Sequence, residues 1–333
     1  MKTWIEELFS AELKKPLPIL SFPSVSLLGI SVKELISSSE LQAKGMKAVA
    51  DATDASAAVS FMDLSVEAEA FGATICVSDD EVPTVEGRLV SDEDEAEALE
   101  IPEVGSARTG IYIDAVKKAV ELVKDRPVLA GMIGPFSLAA RLLDVSEIMM
   151  DCYDDPDMVH TVLEKVTAFL TEYAKAYKAA GAAGIVMAEP VSGLLSPMLE
   201  EEFSSPYVKR IVDAVQDESF SVIYHNCGDN VPKMLDSILS TGAAAYHFGN
   251  AVDMEEDIIK KVPSDTLVMG NIDPAGILRM GTPEKVREAT LALLEKCSKY
   301  PNFLLSSGCD IPPMTPWENI DAFFAVSNEY YGK

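Results

Sequence analysis

A histidine and two cysteines lie in this sequence where they could share one metal ion. His225 and Cys227 follow the apolar run 222–224. Alternate residues of a strand point to the same face, so both side chains could reach one ion. Cys309 lies 82 residues later, soon after a second apolar run at 303–305. One imidazole and two thiolates are typical of a zinc site whose fourth position is open, which predicts catalytic rather than structural zinc.

Ligands so far apart in the chain can meet only where several strands end together. Eight short apolar runs, separated by helical stretches, predict eight strands. Six lie at 17–22, 57–64, 127–132, 184–188, 243–248 and 266–270, and the other two are the run that ends at His225 and the run that leads to Cys309. Strands without polar alternation indicate a parallel sheet buried on both faces. We therefore predict one α/β domain over 1–333, a (β/α)8 TIM barrel. An N-terminal helical extension at 4–13 precedes it, and an excursion after the second strand, at 66–110, is predicted as an insertion.

The active site of such a barrel lies at the carboxyl ends of the strands. Polar residues and a Gly-Pro-Phe turn occur at these predicted ends. From them we predict the substrate-binding residues Asp63, Gly134, Phe136, Glu189, Asn250 and Asn271. The alternative for the acidic residues is a structural role, since strand-end carboxylates often cap helices or face water.

Composition excludes several classes of partner. The net charge of −27 argues against binding to nucleic acid or to an anionic membrane surface. The sequence has no apolar run long enough to span a bilayer. Five scattered cysteines do not form a disulfide framework, and they fit a reducing, cytoplasmic environment in which some of them bind metal.

Several motifs resemble the uroporphyrinogen decarboxylase superfamily and, within it, the methylcobamide:coenzyme M methyltransferases. The matching stretches are VEAEAFG at 66–72, GMIGPF at 131–136, LSP at 195–197, HNCG at 225–228, GNI at 270–272 and GCDIPP at 308–313. The resemblance implies a TIM-barrel enzyme in which zinc, held by His225, Cys227 and Cys309, binds a thiol. It also implies that a methylated corrinoid protein presents its cobalt-bound methyl group at the mouth of the barrel.

The chemistry of thiols is consistent with that implication. A free thiol has a pKa of about 8.5, and only its thiolate is a good nucleophile. Coordination to zinc deprotonates the thiol, which can then attack a methyl group on Co(III) and leave Co(I). This step needs no general acid.

One departure from the family concerns the fourth zinc position. Relatives often carry a carboxylate after the sixth strand, where this chain has His247 to Asn250. Asn250, His247, Glu189 or water remain the candidates for that position. The thiol acceptor therefore stays open between coenzyme M, homocysteine, another thiol and another one-carbon carrier.

Two further functions are possible on this fold: a different reaction and a role without catalysis. Uroporphyrinogen decarboxylation requires cationic groups for a polycarboxylate, yet the first arginine of the chain is Arg88. A non-enzymatic corrinoid- or metal-binding scaffold would need a closed four-ligand site. We expect neither.

Overall fold

The computed structural model describes residues 4–11 and 13–332. Its strands are, in chain order, β1 (Ala58–Val59), β2 (Thr74–Cys76), β3 (Thr84–Glu86), β4 (Val128–Ile133), β5 (Gly184–Ala188), β6 (Ser221–Asn226), β7 (Ala245–Phe248), β8 (Leu267–Ile272) and β9 (Phe303–Ser307). Strands β2 and β3 form an antiparallel hairpin, whereas the other seven form one parallel sheet in the order of the chain.

Helices connect these parallel strands, as the right-handed crossover of a β/α unit requires. They are α1 (Trp4–Ser10), α2 (Ser24–Leu28), α3 (Val32–Ile36), α4 (Ser39–Ala52), α5 (Val66–Ala70), α6 (Glu93–Ala98), α7 (Thr109–Leu122), α8 (Pro135–Leu143), α9 (Val145–Asp154), α10 (Pro156–Ala179), α11 (Pro197–Phe203), α12 (Ser205–Val215), α13 (Val231–Ser240), α14 (Pro283–Cys297) and α15 (Trp317–Tyr330). Short π-helical segments follow β7 at Met254–Ile259 and β8 at Pro274–Arg279.

Alternate residues of each strand belong to two different apolar clusters. In β6, Val222 and Tyr224 pack in the larger cluster between sheet and helices, while Ile223 packs in a smaller cluster with residues from the other strands. The smaller cluster is the interior of a curled sheet, since each of the seven strands of the parallel sheet contributes to it. The predicted TIM-barrel fold is confirmed.

The first predicted strand is the exception. Residues 17–22 are buried and extended along β9, but they do not form a regular strand. Pro16 and Pro18 lack the N–H group that a sheet ladder needs. The segment is bound by a few hydrogen bonds, from Leu17 N to Leu305 O (2.9 Å) and from Ser56 N to Pro16 O (2.9 Å). It thus lies between β9 and the chain just before β1.

The N-terminal extension is the helix α1. Its apolar residues Trp4, Ile5, Leu8 and Phe9 pack against the interior cluster, and Trp4 Nε1 donates to Ala183 O just before β5 (3.1 Å). It therefore covers the amino-terminal end of the barrel, opposite the strand ends that the sequence assigns to the site. No helix among the described residues is both long and apolar enough to cross a membrane.

The excursion predicted at 66–110 contains α5, the β2–β3 hairpin and α6. Arg108 connects its end to the barrel through an ion pair with Asp63 and one with Glu69 (2.6 Å). Its interpretation as an insertion within a single domain stays a prediction.

Candidate metal centre

The three predicted ligands meet at the carboxyl end of the barrel. His225 follows Ile223 on the inner face of β6, Cys227 lies just beyond the strand, and Cys309 lies two residues after β9. The ligand atoms of the three side chains all lie within 4.8 Å of one another. Strands β6 and β9 are separated in the sheet by β7 and β8, so the curl of the barrel brings these ends together.

The spacing of these atoms fits a tetrahedral ion. Cys309 Sγ lies 3.4 Å from His225 Nε2. Zinc bond lengths of about 2.3 Å to sulfur and about 2.0 Å to nitrogen place two tetrahedral ligand atoms about 3.6 Å apart. One nitrogen and two sulfurs are also a donor set that zinc prefers. Among the described residues, no fourth histidine, cysteine, aspartate or glutamate belongs to the group.

The two thiols of the group are electrostatically coupled. A hydrogen bond from Cys309 lowers the pKa of Cys227, and that same bond, together with burial, raises the pKa of Cys309 to about 12. Away from this group, burial, with a smaller contribution from nearby carboxylates, raises the pKa of Cys152 and of Cys297 to about 12, which is typical of structural cysteines.

His247 is paired with the histidine of the group. Its Nδ1 lies 2.7 Å from His225 Nδ1, and its Nε2 lies 2.8 Å from Ser306 Oγ. Burial, and the neighbouring His225, lower the pKa of His247 well below its ordinary value. Both of its ring nitrogens thus have hydrogen-bond partners, and His247 does not belong to the group of ligand atoms. Its candidacy as the fourth ligand stays a prediction.

Glu189 binds the amino terminus of α8. Its Oε1 accepts from Phe136 N (2.8 Å), and its Oε2 accepts from Ser137 N (2.8 Å) and Ser137 Oγ (2.6 Å). A carboxylate is favoured there by the helix dipole and the free N–H groups. Burial nevertheless raises the pKa of Glu189 to about 7. The contacts use both oxygens, so Glu189 positions the turn after β4 rather than filling the fourth metal position.

The Gly-Pro-Phe turn is packed against this carboxylate. A Cβ atom on Gly134 would lie 2.3 Å from Glu189 Cγ, so only glycine fits there. Phe136 is fully buried in the larger cluster between sheet and helices. The turn is therefore a structural part of the barrel rim, and its predicted contact with substrate stays a prediction.

Asp63 is also fully engaged. Its carboxylate pairs with Arg108, accepts from Tyr112 Oη (2.8 Å), and accepts from the backbone and hydroxyl groups of Ser65 (3.1 and 2.5 Å). These contacts fix the segment between β1 and α5.

The two predicted asparagines lie near the metal group in different ways. Asn250 is exposed, next to Gly308, where an added Cβ would come within 2.9 Å of Asn250 Oδ1. Asn271 Nδ2 donates to Gly249 O and Val252 O (2.9 Å each), so it shapes the loop after β7. Asn250 is thus the predicted substrate-binding residue that lies beside Cys309 with an exposed side chain.

Sequence reasoning missed the roles of His247, Ser306, Ser137 and Arg108. A signal for His247 was available, since β6 and β7 pair in parallel and place His225 opposite His247. The roles of Ser137 and Arg108 depend on contacts between distant segments, and nothing local marks them.

The chain was compared with known protein families. The model of the family described as uroporphyrinogen decarboxylase (URO-D) matches residues 24–330.

Individual relatives include two kinds of named enzyme. The chain is 32% identical to a methylcobamide:CoM methyltransferase, MtbA, of Methanosarcina acetivorans over 276 residues, which cover 80% of this chain and 78% of that protein. It is 28% identical to a uroporphyrinogen decarboxylase of Methylobacillus flagellatus over 291 residues, which cover 83% and 80% of the two chains.

Among solved structures, a methyltransferase from Methanosarcina mazei superposes with a TM-score of 0.86. It covers 99% of this chain and 100% of its own, at 24% identity, which establishes the fold they share.

Proposed function

This chain belongs to the uroporphyrinogen decarboxylase family, and from that premise we propose that it is a methyltransferase. Its donor is a methylated corrinoid, carried by a corrinoid protein, and its acceptor is a thiol. Coenzyme M is the acceptor best supported, because the most similar relative described above is named for it. The observation that carries the proposal is the group formed by His225, Cys227 and Cys309.

We assign these three side chains to one zinc ion. Bound there, zinc supplies a Lewis acid that lowers the pKa of a coordinated thiol, so that its sulfur is nucleophilic at neutral pH. His225 offers the ring nitrogen that faces Cys309. The two cysteines, once deprotonated, offset the charge of the dication, which leaves electron density on the substrate sulfur.

The transfer itself exchanges one bond for another. The substrate sulfur attacks the methyl carbon, and the S–C bond forms as the C–Co bond breaks. The electron pair of the broken bond stays on cobalt, which passes from Co(III) to Co(I). The thiol proton has left before this step, so no side chain must donate a proton.

Among the surrounding residues, we place Asn250 and Asn271 on the substrate side. Asn250 is exposed beside Cys309, where it could contact the acceptor, and Asn271 shapes the loop that carries Asn250. The barrel rim is fixed by contacts of Asp63 and Glu189, and its turn after β4 contains Gly134 and Phe136. Contact of these four residues with the substrate stays a prediction. The cytoplasmic location inferred from the cysteines stays a prediction.

Decarboxylation of uroporphyrinogen is the rival within the family. The first two arginines of the chain are already paired with carboxylates, Arg88 with Asp151 (2.9 Å) and Glu147 (3.3 Å), and Arg108 with Asp63 and Glu69. They are not free for a polycarboxylate substrate, and the chain carries a net charge of −27. A metal group has no role in that reaction, so these observations favour methyl transfer.

A spectrophotometric assay tests the proposal. Free methylcobalamin is mixed with coenzyme M and either zinc-loaded or chelator-stripped protein, and loss of the methyl group is followed in the corrin spectrum. We expect demethylation only with zinc. A parallel series with homocysteine ranks the acceptors. If zinc-loaded protein fails to demethylate methylcobalamin with either coenzyme M or homocysteine, the proposed reaction is contradicted for both acceptors.

A further inference from the structure

The ring of His225 is connected, through two side chains, to a backbone carbonyl of the segment beside β9. His225 Nδ1 contacts His247 Nδ1, His247 Nε2 contacts Ser306 Oγ, and Ser306 Oγ contacts Leu17 O at 2.7 Å. We propose that His247 and Ser306 are positioning residues, which fix His225 in the tautomer that presents an unprotonated Nε2 to the metal. The inference rests on the zinc site of the proposed function and deepens it.

The direction of each hydrogen bond follows from the last one. A carbonyl oxygen only accepts, so the single hydroxyl proton of Ser306 is donated to Leu17 O. Ser306 Oγ must then accept from His247, which places a proton on His247 Nε2. In a neutral imidazole the other nitrogen is an acceptor, so His247 Nδ1 has a free lone pair. His225 Nδ1 must therefore carry the proton that this lone pair accepts.

The same argument leaves His225 Nε2 without a proton. That atom lies 3.4 Å from Cys309 Sγ, inside the metal group. A histidine ligates a metal only through an unprotonated nitrogen, and the partner of its other nitrogen normally decides which one that is. Here the partner is a second histidine rather than the more usual carboxylate or carbonyl.

The chain of contacts is shielded from solvent. His225 and His247 are each 1% exposed, and Ser306 is fully buried. The rings meet at an interplanar angle of 67°, with centroids 4.7 Å apart, so they are joined through nitrogen atoms rather than stacked face to face.

The tautomer is observable directly, because the sequence contains only three histidines. Protein labelled with ¹⁵N-histidine and stripped of metal is studied by long-range ¹H–¹⁵N correlation, which distinguishes protonated from unprotonated ring nitrogens. We expect one ring, assigned to His225 by substitution, to be protonated at Nδ1 and unprotonated at Nε2. His247 should show the opposite pattern, with its proton on Nε2.

Zinc affinity tests the consequence, measured by competition with a chromogenic chelator. His247→Leu removes the acceptor for His225, and the Kd for zinc should rise about 10- to 100-fold, as for other residues that orient metal ligands. Ser306→Ala, a smaller change, should raise it in the same direction and let the tautomer of His247 vary. His247→Gln retains an acceptor and should restore most of the affinity. His160→Leu, the matched control at the third histidine, should leave the Kd unchanged.

Two results would overturn the inference. One is a His225 ring protonated at Nε2 in metal-free wild-type protein, and the other is a wild-type Kd in both His247→Leu and Ser306→Ala. Neither measurement involves a corrinoid or a thiol. Failure of methyl transfer by wild-type protein with the expected tautomer would therefore contradict the proposed function alone.

Discussion

Gly249 lies against Cys227 with no room for a side chain. A Cβ atom on Gly249 would come within 2.6 Å of both Cα and Cβ of Cys227, closer than non-bonded atoms approach. Gly249 follows β7, whereas Cys227 follows β6, and Gly249 N donates to Asn226 O at 3.1 Å. The absence of a side chain at position 249 is therefore part of how Cys227, a proposed metal ligand, is placed.

Gly249→Ala should displace Cys227 and weaken zinc binding. The overlap is with backbone and Cβ atoms, which cannot rotate away, so the ligand must shift by several tenths of an ångström. We expect a Kd for zinc at least about 10-fold higher, measured by chelator competition. Gly242→Ala is the matched control, because that residue has a positive φ and open space around it. Gly242→Ala should lower stability and leave zinc affinity unchanged. An equal loss of zinc affinity in Gly242→Ala and Gly249→Ala would contradict the role of Gly249 in placing Cys227.

Cys309→Ala should abolish tight zinc binding and methyl transfer together while the fold survives. Two protein ligands remain, too few for a stable zinc site, and the thiol substrate then has no Lewis acid. Metal content by atomic emission, activity, and far-ultraviolet circular dichroism measure the three effects. Cys76→Ala, at an exposed cysteine outside the group, is the control and should retain both properties. Full activity of a zinc-free Cys309→Ala protein would refute the mechanism.

Glu189→Gln should destabilise the protein by about 1–3 kcal/mol at pH 8. One oxygen of the carboxylate becomes an NH2 group, which faces the N–H donors of Phe136 or Ser137 and cannot accept from them. Urea denaturation measures the change in the free energy of unfolding. Glu201→Gln, at an exposed position of α11, is the control. An unchanged midpoint for Glu189→Gln would mean that the carboxylate does not support the start of α8.

Glu67→Gln should remove part of the pH dependence of stability. Burial raises the pKa of Glu67 to about 7, from an ordinary value of 4.5, and its Oε2 has no hydrogen-bond partner among the described residues. Between these values the folded state binds more protons than the unfolded state, so stability falls as pH rises from 4.5 to 7. The difference corresponds to about 3 kcal/mol.

We therefore expect Glu67→Gln to be more stable than wild type at pH 8 and to lose that advantage at pH 4.5. Denaturant titrations at both values of pH measure it. A variant whose advantage is the same at both would show that ionisation of Glu67 is not the cause.

Local patterns were sufficient for the fold and for the metal group. The apolar runs that end at His225 and lead to Cys309 are strands in the structure, and the helical extension predicted at 4–13 is α1. The strand predicted at 17–22 was wrong because the prediction followed the apolar run, whereas Pro16 and Pro18 lack donors that a ladder needs. Apolar burial and a few hydrogen bonds hold that segment in the barrel.

The roles of individual polar residues were less predictable. Glu189 and Asp63 were expected at the site from their positions at strand ends, yet both are engaged by groups from other segments. Ser137 contacts Glu189, and Arg108 contacts Asp63, but each pair is far apart in the sequence. A strand-end carboxylate looks the same in sequence whether it contacts a substrate or a helix.

The sequence by itself determined which residues meet in the His225, Cys227 and Cys309 group, because residues i and i+2 of a strand share a face and parallel strands end at one edge. The tertiary structure alone decided which partners contact the ring of His225. Leu17, His247 and Ser306 are far apart in the chain, by 59 residues between the last two and 289 between the first and last. Their hydrogen bonds depend on the closure of the barrel, because closure brings the segment around Leu17 next to β9 and places Ser306 of β9 within reach of His247 in β7.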